Sequence, residues 1–437
     1  MAESSEKLYP NCNSSVWLRS CDVEVTQPLP GRITGKMPTW LRGSLLRNGP
    51  GSLNVGSMRF EHLFDSSALV HRFSILDGAV TYQCRFVRTN TFKRNRAANR
   101  IVVTEFGTKA VPDPCHTIFD RVASIFKPAE LSDNTMISLY PFGDEIYTFT
   151  EGPFIHRIDP KTLDTLERKD MMKCVAVVNH TSHPHVMPNG DVINVGMSIV
   201  KGRLRHDVVK FPYTEKGDMF ERAHIIGSMK PRWTMHPAYM HTFGVTENYF
   251  VIIEQPLTVS ICGVLRNQLT MQSNAEYAEW FRGRPKRLEV ALAAPTMTKV
   301  TPRLLADLGC ETPRINYDLC NGRPYRYFYA ISSDVDAENP GAIIKVDTST
   351  GESWSWCESD CYPSEPVFIS DPGSREEHGG ILLSALLWGS QECSLGLLVL
   401  DARTMKEIAR VDFETPSPAP KCLHGWFLPE KCEGDLK

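Results

Sequence analysis

The chain has 437 residues, enough for about three average domains or for one large β architecture. Its net charge is -3 and 23% of its residues are charged, so neither disorder nor a polyanion-binding surface is indicated, and nucleic acid is not expected as a partner. The 29 glycines and 30 prolines can separate many short elements, which favours a β-rich chain over a helical bundle.

The N-terminal residues 1–15 show no basic start followed by an apolar run, so we expect no secretory signal. No uncharged apolar stretch reaches the ~20 residues that a membrane-spanning helix needs, and the best candidate, Gly379–Gly389, is far too short. Together these features predict a cytoplasmic protein.

The first functionally relevant element in chain order is a predicted amphipathic helix, Ile118–Phe126. Its residues Phe119, Val122, Ile125 and Phe126 fall on one face at the helical period. Two interpretations stay open: an ordinary helix packed on a sheet, or a segment that contacts a membrane or borders the entrance for a lipid-like substrate.

Most of the remaining chain consists of strand-like segments separated by short polar turns. In three of them an apolar strand ends in aspartate, a short turn follows and a second strand begins; they are Phe154–Glu167, Ile343–Trp356 and Leu397–Val411. The aspartates of the last two, Asp347 and Asp401, lie 54 residues apart, comparable with the ~40–50 residues of a propeller blade.

Single strands are predicted from β-branched and aromatic content at Glu145–Phe149, Asp191–Met197, Tyr249–Glu254 and Tyr325–Ile331. A second helix, Asn267–Arg284, ends at a glycine stop signal. Helices are few and peripheral in this pattern, and no low-complexity linker divides the chain. The sequence therefore predicts one large all-β domain.

Several of the 13 histidines flank these strands. His183 and His185 form an HPH motif ahead of one strand, His241 precedes the next, and His424 lies near the C-terminus. Taken singly, a histidine is more often a hydrogen-bonded structural residue than a metal ligand. Periodicity alone therefore does not assign them.

An ordered set of motifs does, because it resembles the carotenoid cleavage oxygenase family, and most of all its insect members, which make retinal for visual pigment. The motifs are Leu41–Gly51, His62–Ile75, Tyr147–Thr165, Ser182–Gly196, Met240–Pro256, Ile315–Ala330, Tyr362–Ser370 and Leu423–Phe427. They extend through nearly the whole chain, so the resemblance is specific.

This resemblance implies a seven-bladed β-propeller with a small helical and loop cap, an apolar tunnel and a non-haem Fe(II) on the axis held by four histidines. By motif, the ligands present are His183, His241 and His424. By motif, the carboxylates that orient ligands are Glu151, Glu311 and Glu365. Imidazoles suit iron, and a carboxylate that accepts the second ring N–H of a ligand fixes its tautomer.

The sequence departs from the family in one place. The family has a further iron histidine between the positions of His241 and Glu311, and this chain has no histidine there. The flanking motifs place the join near Ser260–Arg266, with roughly a hundred residues missing, equivalent to one to two blades. We therefore expect residues 1–437 to form a single propeller domain that is incomplete, in which Glu311 has lost its partner.

Three functions follow from the resemblance. The first is a dioxygenase that uses Fe(II) and O2 to cleave the central double bond of a carotenoid such as β-carotene or zeaxanthin to retinal, with or without trans-to-cis isomerisation, at a peripheral contact with membranes. The second is an inactive or weakly active shortened form that binds polyenes without competent iron, and the absent histidine favours it for this chain. The third is a retinyl-ester isomerohydrolase with the same ligands and a retinoid substrate.

Overall fold

Antiparallel strands joined by short turns account for most of the structure. The computed structural model describes residues 11–111 and 131–430, apart from residues 235, 256, 259–282, 291–298 and 336. Within these described residues the α-helices are α1 (Asn90–Ala98), α2 (Met171–Val175) and α3 (Tyr317–Cys320), and the 3-10 helices are Ser14–Leu18 and Leu63–Asp65. None of the described helices is long and apolar enough to cross a bilayer.

The strands are numbered in chain order. The first fifteen are β1 Val25–Pro30, β2 Arg32–Gly35, β3 Gly43–Ser52, β4 Asn54–Val55, β5 Met58–Arg59, β6 Ser67–Leu76, β7 Ala79–Phe86, β8 Ser138–Phe142, β9 Glu145–Phe149, β10 Phe154–Ile158, β11 Thr165–Asp170, β12 Val177–His180, β13 His185–Val186, β14 Val192–Val200 and β15 Arg203–Phe211. The other fifteen are β16 His224–Met229, β17 Gly244–Val245, β18 Phe250–Val251, β19 Lys286–Arg287, β20 Arg303–Leu304, β21 Glu311–Arg314, β22 Tyr327–Ile331, β23 Ala342–Asp347, β24 Ser353–Cys357, β25 Cys361–Pro363, β26 Val367–Ser370, β27 Gly380–Trp388, β28 Gln391–Asp401, β29 Glu407–Glu414 and β30 His424–Pro429.

Five sheets of four or more strands form the blades of a β-propeller. Blade 1 has the order β1-β7-β6-β3-β30, and blade 2 the order β11-β10-β9-β8. Blade 3 is β12-β14-β15-β16 with β13 on β14, blade 4 is β21-β22-β23-β24, and blade 5 is β2-β29-β28-β27-β25 with β26 on β27. The predicted all-β propeller fold is thereby confirmed.

The described residues also form three two-stranded sheets, β4–β5, β17–β18 and β19–β20. The last two lie in the chain between blade 3 and blade 4, on either side of residues 259–282. We call the part of the molecule between these two blades the open side, and blades 5, 1 and 2 the closed side.

Strands from the two ends of the chain pair with each other on the closed side. β2 pairs with β29, and β3 pairs with β30 from Gly43–Pro429 to Asn48–His424. This second pairing places His424 at the end of a fully paired strand.

The three predicted aspartate hairpins share one turn geometry. Asp159 Oδ1 accepts hydrogen bonds from the backbone N–H groups of residues two and three positions later, at 2.7 and 2.8 Å. Asp347 Oδ1 accepts from the same two positions at 2.8 and 3.4 Å, and Asp401 Oδ1 from the backbone N–H three positions later at 2.7 Å. In each case the strands before and after the turn pair antiparallel, so the predicted hairpins are confirmed.

Apolar clusters fill the interfaces between neighbouring blades. Blades 1 and 5 share the largest, which includes Phe73 and Phe413, and further clusters join blade 1 to blade 2, blade 2 to blade 3 and blade 4 to blade 5. On the open side, blade 3 packs against β17 through a smaller cluster that includes Phe243 and Val245. Among the described residues, blade-to-blade packing is thus extensive except on the open side.

The single predicted strands have different outcomes. Glu145–Phe149 is β9, and Asp191–Met197 and Tyr325–Ile331 match β14 and β22 within two to three residues at their ends. Tyr249–Glu254 is strand only at β18. The predicted helix Ile118–Phe126, with its four apolar residues, and residues 267–282 of the second predicted helix lie outside the described residues.

Candidate metal centre

The three histidines predicted from the motifs lie together, although they come from distant parts of the chain. His183 lies in the loop between β12 and β13, His241 lies just before β17, and His424 begins β30. The ring centroid of His183 is 4.7 Å from that of His241 and 4.7 Å from that of His424. The Nε2 atoms of His183 and His241 are 3.2 Å apart.

Two of these imidazoles are held by a glutamate. His241 Nδ1 lies 2.7 Å from Glu151 Oε1, and His424 Nδ1 lies 2.9 Å from Glu365 Oε1. An ionised carboxylate can only accept a hydrogen bond, so each Nδ1 carries the proton and donates it. In the neutral form of each ring this arrangement leaves the lone pair on Nε2, the atom that a metal ion would bind.

Glu365 belongs to a buried charge network. Arg314 donates from Nε to Glu365 Oε1 at 2.8 Å and from a terminal nitrogen to Oε2 at 3.1 Å, and the Gly425 backbone N–H also donates to Oε2 at 3.1 Å. Arg47 is fully buried 3.8 Å from the same carboxylate. Burial raises the pKa of Glu365, but Arg314 and then His424 outweigh it and hold that pKa well below its usual range.

The same two arginines fix the segment that carries His424. Arg47 donates to the Glu365 carbonyl at 2.8 Å and to the Leu423 carbonyl at 2.9 Å, and Arg314 donates to the Gly425 carbonyl at 3.0 Å. His424 therefore lies between two anchored backbone positions.

The surroundings of His241 are more open. Its side chain is 48% exposed, compared with 15% for His424. The Tyr239 ring stacks against the His241 ring, with centroids 6.3 Å apart. Burial raises the pKa of Tyr239, and the charge of Glu151 and a hydrogen bond to Glu151 raise it further. Glu151 thus orients two neighbouring side chains.

Glu311 is not paired as Glu151 and Glu365 are. It begins β21, and within the described part of the chain its carboxylate shows no hydrogen bond to a histidine ring. Burial raises the pKa of Glu311, and only the charge of His241 opposes that change. This is the behaviour expected of a carboxylate whose donor is missing.

The donors present suit a divalent transition metal. Burial lowers the pKa of His183 well below its usual value, and His424 and His241 lower it further, so this ring is neutral. At metal–nitrogen distances of about 2.1 Å, two ligands at right angles are about 3 Å apart, close to the observed His183–His241 separation. As the side chains stand, the described residues contain no group of three or more His, Cys, Asp or Glu already spaced as a metal cage. The His183–His241 pair therefore fits a shared metal ion, whereas the three histidines together do not converge on one point.

An apolar cavity of about 290 Å³ adjoins this centre. Glu311, Glu365 and His424 line one part of it, and Trp17 and the buried Lys421 line another. The Lys421 ammonium lies 4.0 Å from the Trp17 ring centroid and donates to the Pro363 carbonyl at 2.9 Å, while burial lowers its pKa to about 8.

Sequence reasoning missed the residues that support the ligands. Arg47 lies inside the motif Leu41–Gly51 and Arg314 directly precedes the motif Ile315–Ala330, but an isolated arginine is normally a surface charge, so nothing local singled them out. Tyr239 and Tyr317 likewise stand in no local pattern that marks them as supporting residues. The proximity of these residues to the centre depends on strand pairing across the whole propeller.

Comparisons with known proteins agree with this architecture. A family model described as retinal pigment epithelial membrane protein, RPE65, matches residues 18–291 and 265–429. The carotenoid isomerooxygenase of Galleria mellonella is 62% identical over an alignment of 512 positions, which covers 99% of this chain and 100% of the relative. That of Drosophila melanogaster is 40% identical, with 98% and 95% covered.

The β,β-carotene 15,15'-dioxygenase of Mus musculus is 32% identical, with 93% of this chain and 90% of the relative covered. Among solved structures, a mutant of Synechocystis apocarotenoid oxygenase superposes with a TM-score of 0.80 at 19% identity, covering 97% of this chain and 100% of that one. At such low identity the structural likeness shows the fold alone.

Proposed function

This chain belongs to the RPE65 family of carotenoid oxygenases, and from that premise we propose that it is an Fe(II)-dependent enzyme that cleaves a carotenoid at its central double bond to give retinal. Relatives are named carotenoid isomerooxygenase and β,β-carotene 15,15'-dioxygenase. The observation that carries the proposal is the meeting of His183, His241 and His424, two of them with Nδ1 held by a glutamate.

His183, His241 and His424 would hold the ion through Nε2. Glu151 and Glu365 keep the proton on Nδ1 of their histidines, so the lone pairs stay directed at the ion and the rings cannot rotate freely. Three neutral imidazoles leave the double positive charge of a ferrous ion uncancelled, with coordination positions free for small molecules. Iron(II), when bound, supplies the activation of dioxygen that lets both oxygen atoms add to one C=C bond and yield two aldehydes.

We also propose that the chain is a single domain from which an internal segment near residues 260–266 is missing. The alignment with the Galleria relative extends over 512 positions, 75 more than the 437 residues of this chain, so at least 75 residues of that relative lie opposite gaps. The family model matches in two pieces, residues 18–291 and 265–429, that overlap from this region to residue 291. The small sheets β17–β18 and β19–β20 lie on either side of it, where two further blades would complete a seven-bladed ring.

One specific observation favours a second candidate, a shortened form that binds polyenes with little or no catalysis. No histidine lies between His241 and Glu311, so a fourth imidazole ligand cannot come from that stretch. A three-histidine site should bind iron more weakly than a four-histidine site, and activity should depend on the iron supplied.

Iron and product measurements on the purified chain test both candidates. We expect substoichiometric iron and low activity after purification, retinal formation from β-carotene or zeaxanthin that rises as anaerobic ferrous iron is added, and no product after chelation or in His183→Ala. A version that carries the extra segment of the Galleria relative between residues 260 and 266 should retain iron without excess. Absence of aldehyde at saturating ferrous iron, with carotenoid still bound, would leave the polyene-binding function instead.

For the cellular setting, we propose a cytoplasmic protein with a peripheral membrane contact, which suits a carotenoid substrate that resides in membranes. The contact would be made by the segment containing Phe119, Val122, Ile125 and Phe126. Replacing Phe119, Val122 and Ile125 by serine should reduce sedimentation with liposomes, and unchanged sedimentation would reject this contact.

A further inference from the structure

The His183 ring is positioned differently from the other two. His241 and His424 each donate to a glutamate, whereas in the described part of the chain the His183 ring shows no hydrogen bond to a carboxylate. Its recorded ring contacts are with the other two imidazoles. Something else must fix its distance from His241.

His185, two residues further along, has both ring nitrogens engaged. Its Nε2 lies 2.9 Å from the Phe243 carbonyl oxygen, and its Nδ1 lies 2.9 Å from the Tyr317 hydroxyl. A carbonyl oxygen can only accept, so Nε2 carries the hydrogen and donates it, and Nδ1 of the neutral ring accepts from the Tyr317 O–H. One tautomer satisfies both bonds.

Packing holds the His185 ring in the same place. It meets the Phe243 ring edge to face, with centroids 4.8 Å apart, and lies parallel to the Tyr317 ring at 6.2 Å. Its own strand, β13, pairs with β14. Asn321, at the end of α3, also donates to the Val186 carbonyl at 3.4 Å, so α3 contacts β13 at two points.

The spacing along the chain gives these bonds a consequence at the metal centre. His185 follows His183 by two residues, and Phe243 follows His241 by two residues. The bond from His185 Nε2 to the Phe243 carbonyl therefore ties together the two short segments that present His183 and His241. The two segments therefore approach each other at two points. One is the 3.2 Å approach of the His183 and His241 Nε2 atoms, and the other is the hydrogen bond from His185 to Phe243.

The Tyr317 bond extends the link across the open side. Tyr317 begins α3, which lies between β21 and β22 of blade 4, while His185 belongs to blade 3. The cluster at Phe243 is small compared with those between the other blades. A side-chain link between blades 3 and 4 thus crosses the place where packing between blades is least in the described part of the chain.

The geometry points to His185 as a positioning residue that, together with Tyr317, sets the separation of His183 and His241. This inference rests on the proposed function, because that separation matters only if the imidazoles share a metal ion. It predicts that His185 governs metal affinity without touching the metal.

A matched control exists elsewhere in the propeller. His71 on β6 is also buried, and its Nδ1 lies 2.8 Å from the hydroxyl of Tyr82 on β7, within blade 1. Replacing either histidine by phenylalanine removes a buried His–Tyr hydrogen bond, so both variants should lose thermal stability. Only the variant at His185 should change the metal centre.

The test is a Co2+ titration of the metal-free protein, followed by visible absorption or calorimetry. We expect His185→Phe to weaken Co2+ binding by about 10–100-fold, the usual effect of losing a residue that orients a ligand. His71→Phe should change it by less than about threefold at a similar loss of Tm, because the His71–Tyr82 bond lies within blade 1 and ties no two ligand segments together. His185→Gln should restore part of the affinity because its amide N–H can donate to the Phe243 carbonyl, and Tyr317→Phe should have an intermediate effect.

The inference is overturned if His185→Phe binds Co2+ as tightly as His71→Phe does. If the wild-type chain binds no Co2+, the proposed metal centre fails, and His185 is judged on the metal-free protein alone. In that case the crystal structure of His185→Phe decides: loss of the 3.2 Å contact between His183 and His241 supports the positioning role, and its retention rejects it.

Discussion

The two glutamate–histidine pairs of the candidate metal centre have nearly the same geometry in very different surroundings. The Glu151–His241 distance is 2.7 Å and the Glu365–His424 distance is 2.9 Å. The Glu151 and His241 side chains are 19% and 48% exposed, whereas Glu365 and His424 are 3% and 15% exposed. His241 lies on the open side, although its partner Glu151 comes from the β9–β10 turn of blade 2, whereas both members of the other pair are on the closed side.

The surrounding blades explain the difference. β30 pairs with β3 along its whole length, and two arginines hold the backbone around His424. Near His241, β17 and β18 pair through only two residues each, and the side chains of Phe250 and Val251 are 41% and 47% exposed. A carboxylate therefore orients its imidazole locally, while the rigidity of the pair depends on how fully the surrounding described strands are paired and anchored.

Removing the Glu365 charge should have the largest effect. In Glu365→Gln the partly buried Arg314 and the buried Arg47 lose their counter-ion, and breaking a buried pair in this way typically costs about 3–5 kcal/mol. Urea unfolding of the metal-free protein measures the change. Glu151→Gln is the matched control for the more exposed pair, which holds His241 of the open side, and there we expect less than about 1 kcal/mol. Equal losses in the two variants would contradict the distinction between the two sides.

Glu151→Gln should instead act on the metal. The amide keeps the size of the side chain but accepts the His241 proton less strongly, so His241 becomes a weaker ligand and its ring less well oriented. We expect iron or Co2+ affinity to fall by about 10–100-fold with little change in Tm. Calorimetric titration of the two proteins under the same conditions checks this. A large drop in Tm would show that the open side is as tightly integrated as the closed side.

The sequence was most informative where structure is local. The aspartate hairpins could be predicted because Asp159, Asp347 and Asp401 each close their turn with hydrogen bonds inside a few residues. The strand predicted at Tyr249–Glu254 is much shorter in the structure because β-propensity describes the fit of side chains on a sheet, and a strand also needs a partner. There the partner is only β17.

The supporting residues of the site could not be predicted in this way. Arg47 and Glu365 are 318 positions apart in the chain, and His185 and Tyr317 are 132 apart. Each contact forms because the blades are arranged in a ring, which no window of sequence contains. The resemblance to a family identified the histidines and glutamates by motif, but it gave no reason to select the side chains that hold them in place.

The smallest expected effect concerns Glu311 and the sign of its pH dependence. Burial raises its pKa in the folded chain, so the folded state holds the proton more tightly than the unfolded state does. Its contribution to stability is present below the ordinary glutamate pKa and is lost as pH rises through the raised value. Glu311→Gln cannot ionise and so avoids this loss of stability. The free energy of unfolding of the variant should equal that of the wild type near pH 4 and exceed it at pH 8. The difference should be less than about 1 kcal/mol because the side chain is partly exposed. Urea unfolding of the metal-free proteins at the two pH values measures the difference. A variant less stable than the wild type at pH 8 would mean that Glu311 has a cationic partner, and the open side would then be stabilised as the closed side is by Glu365.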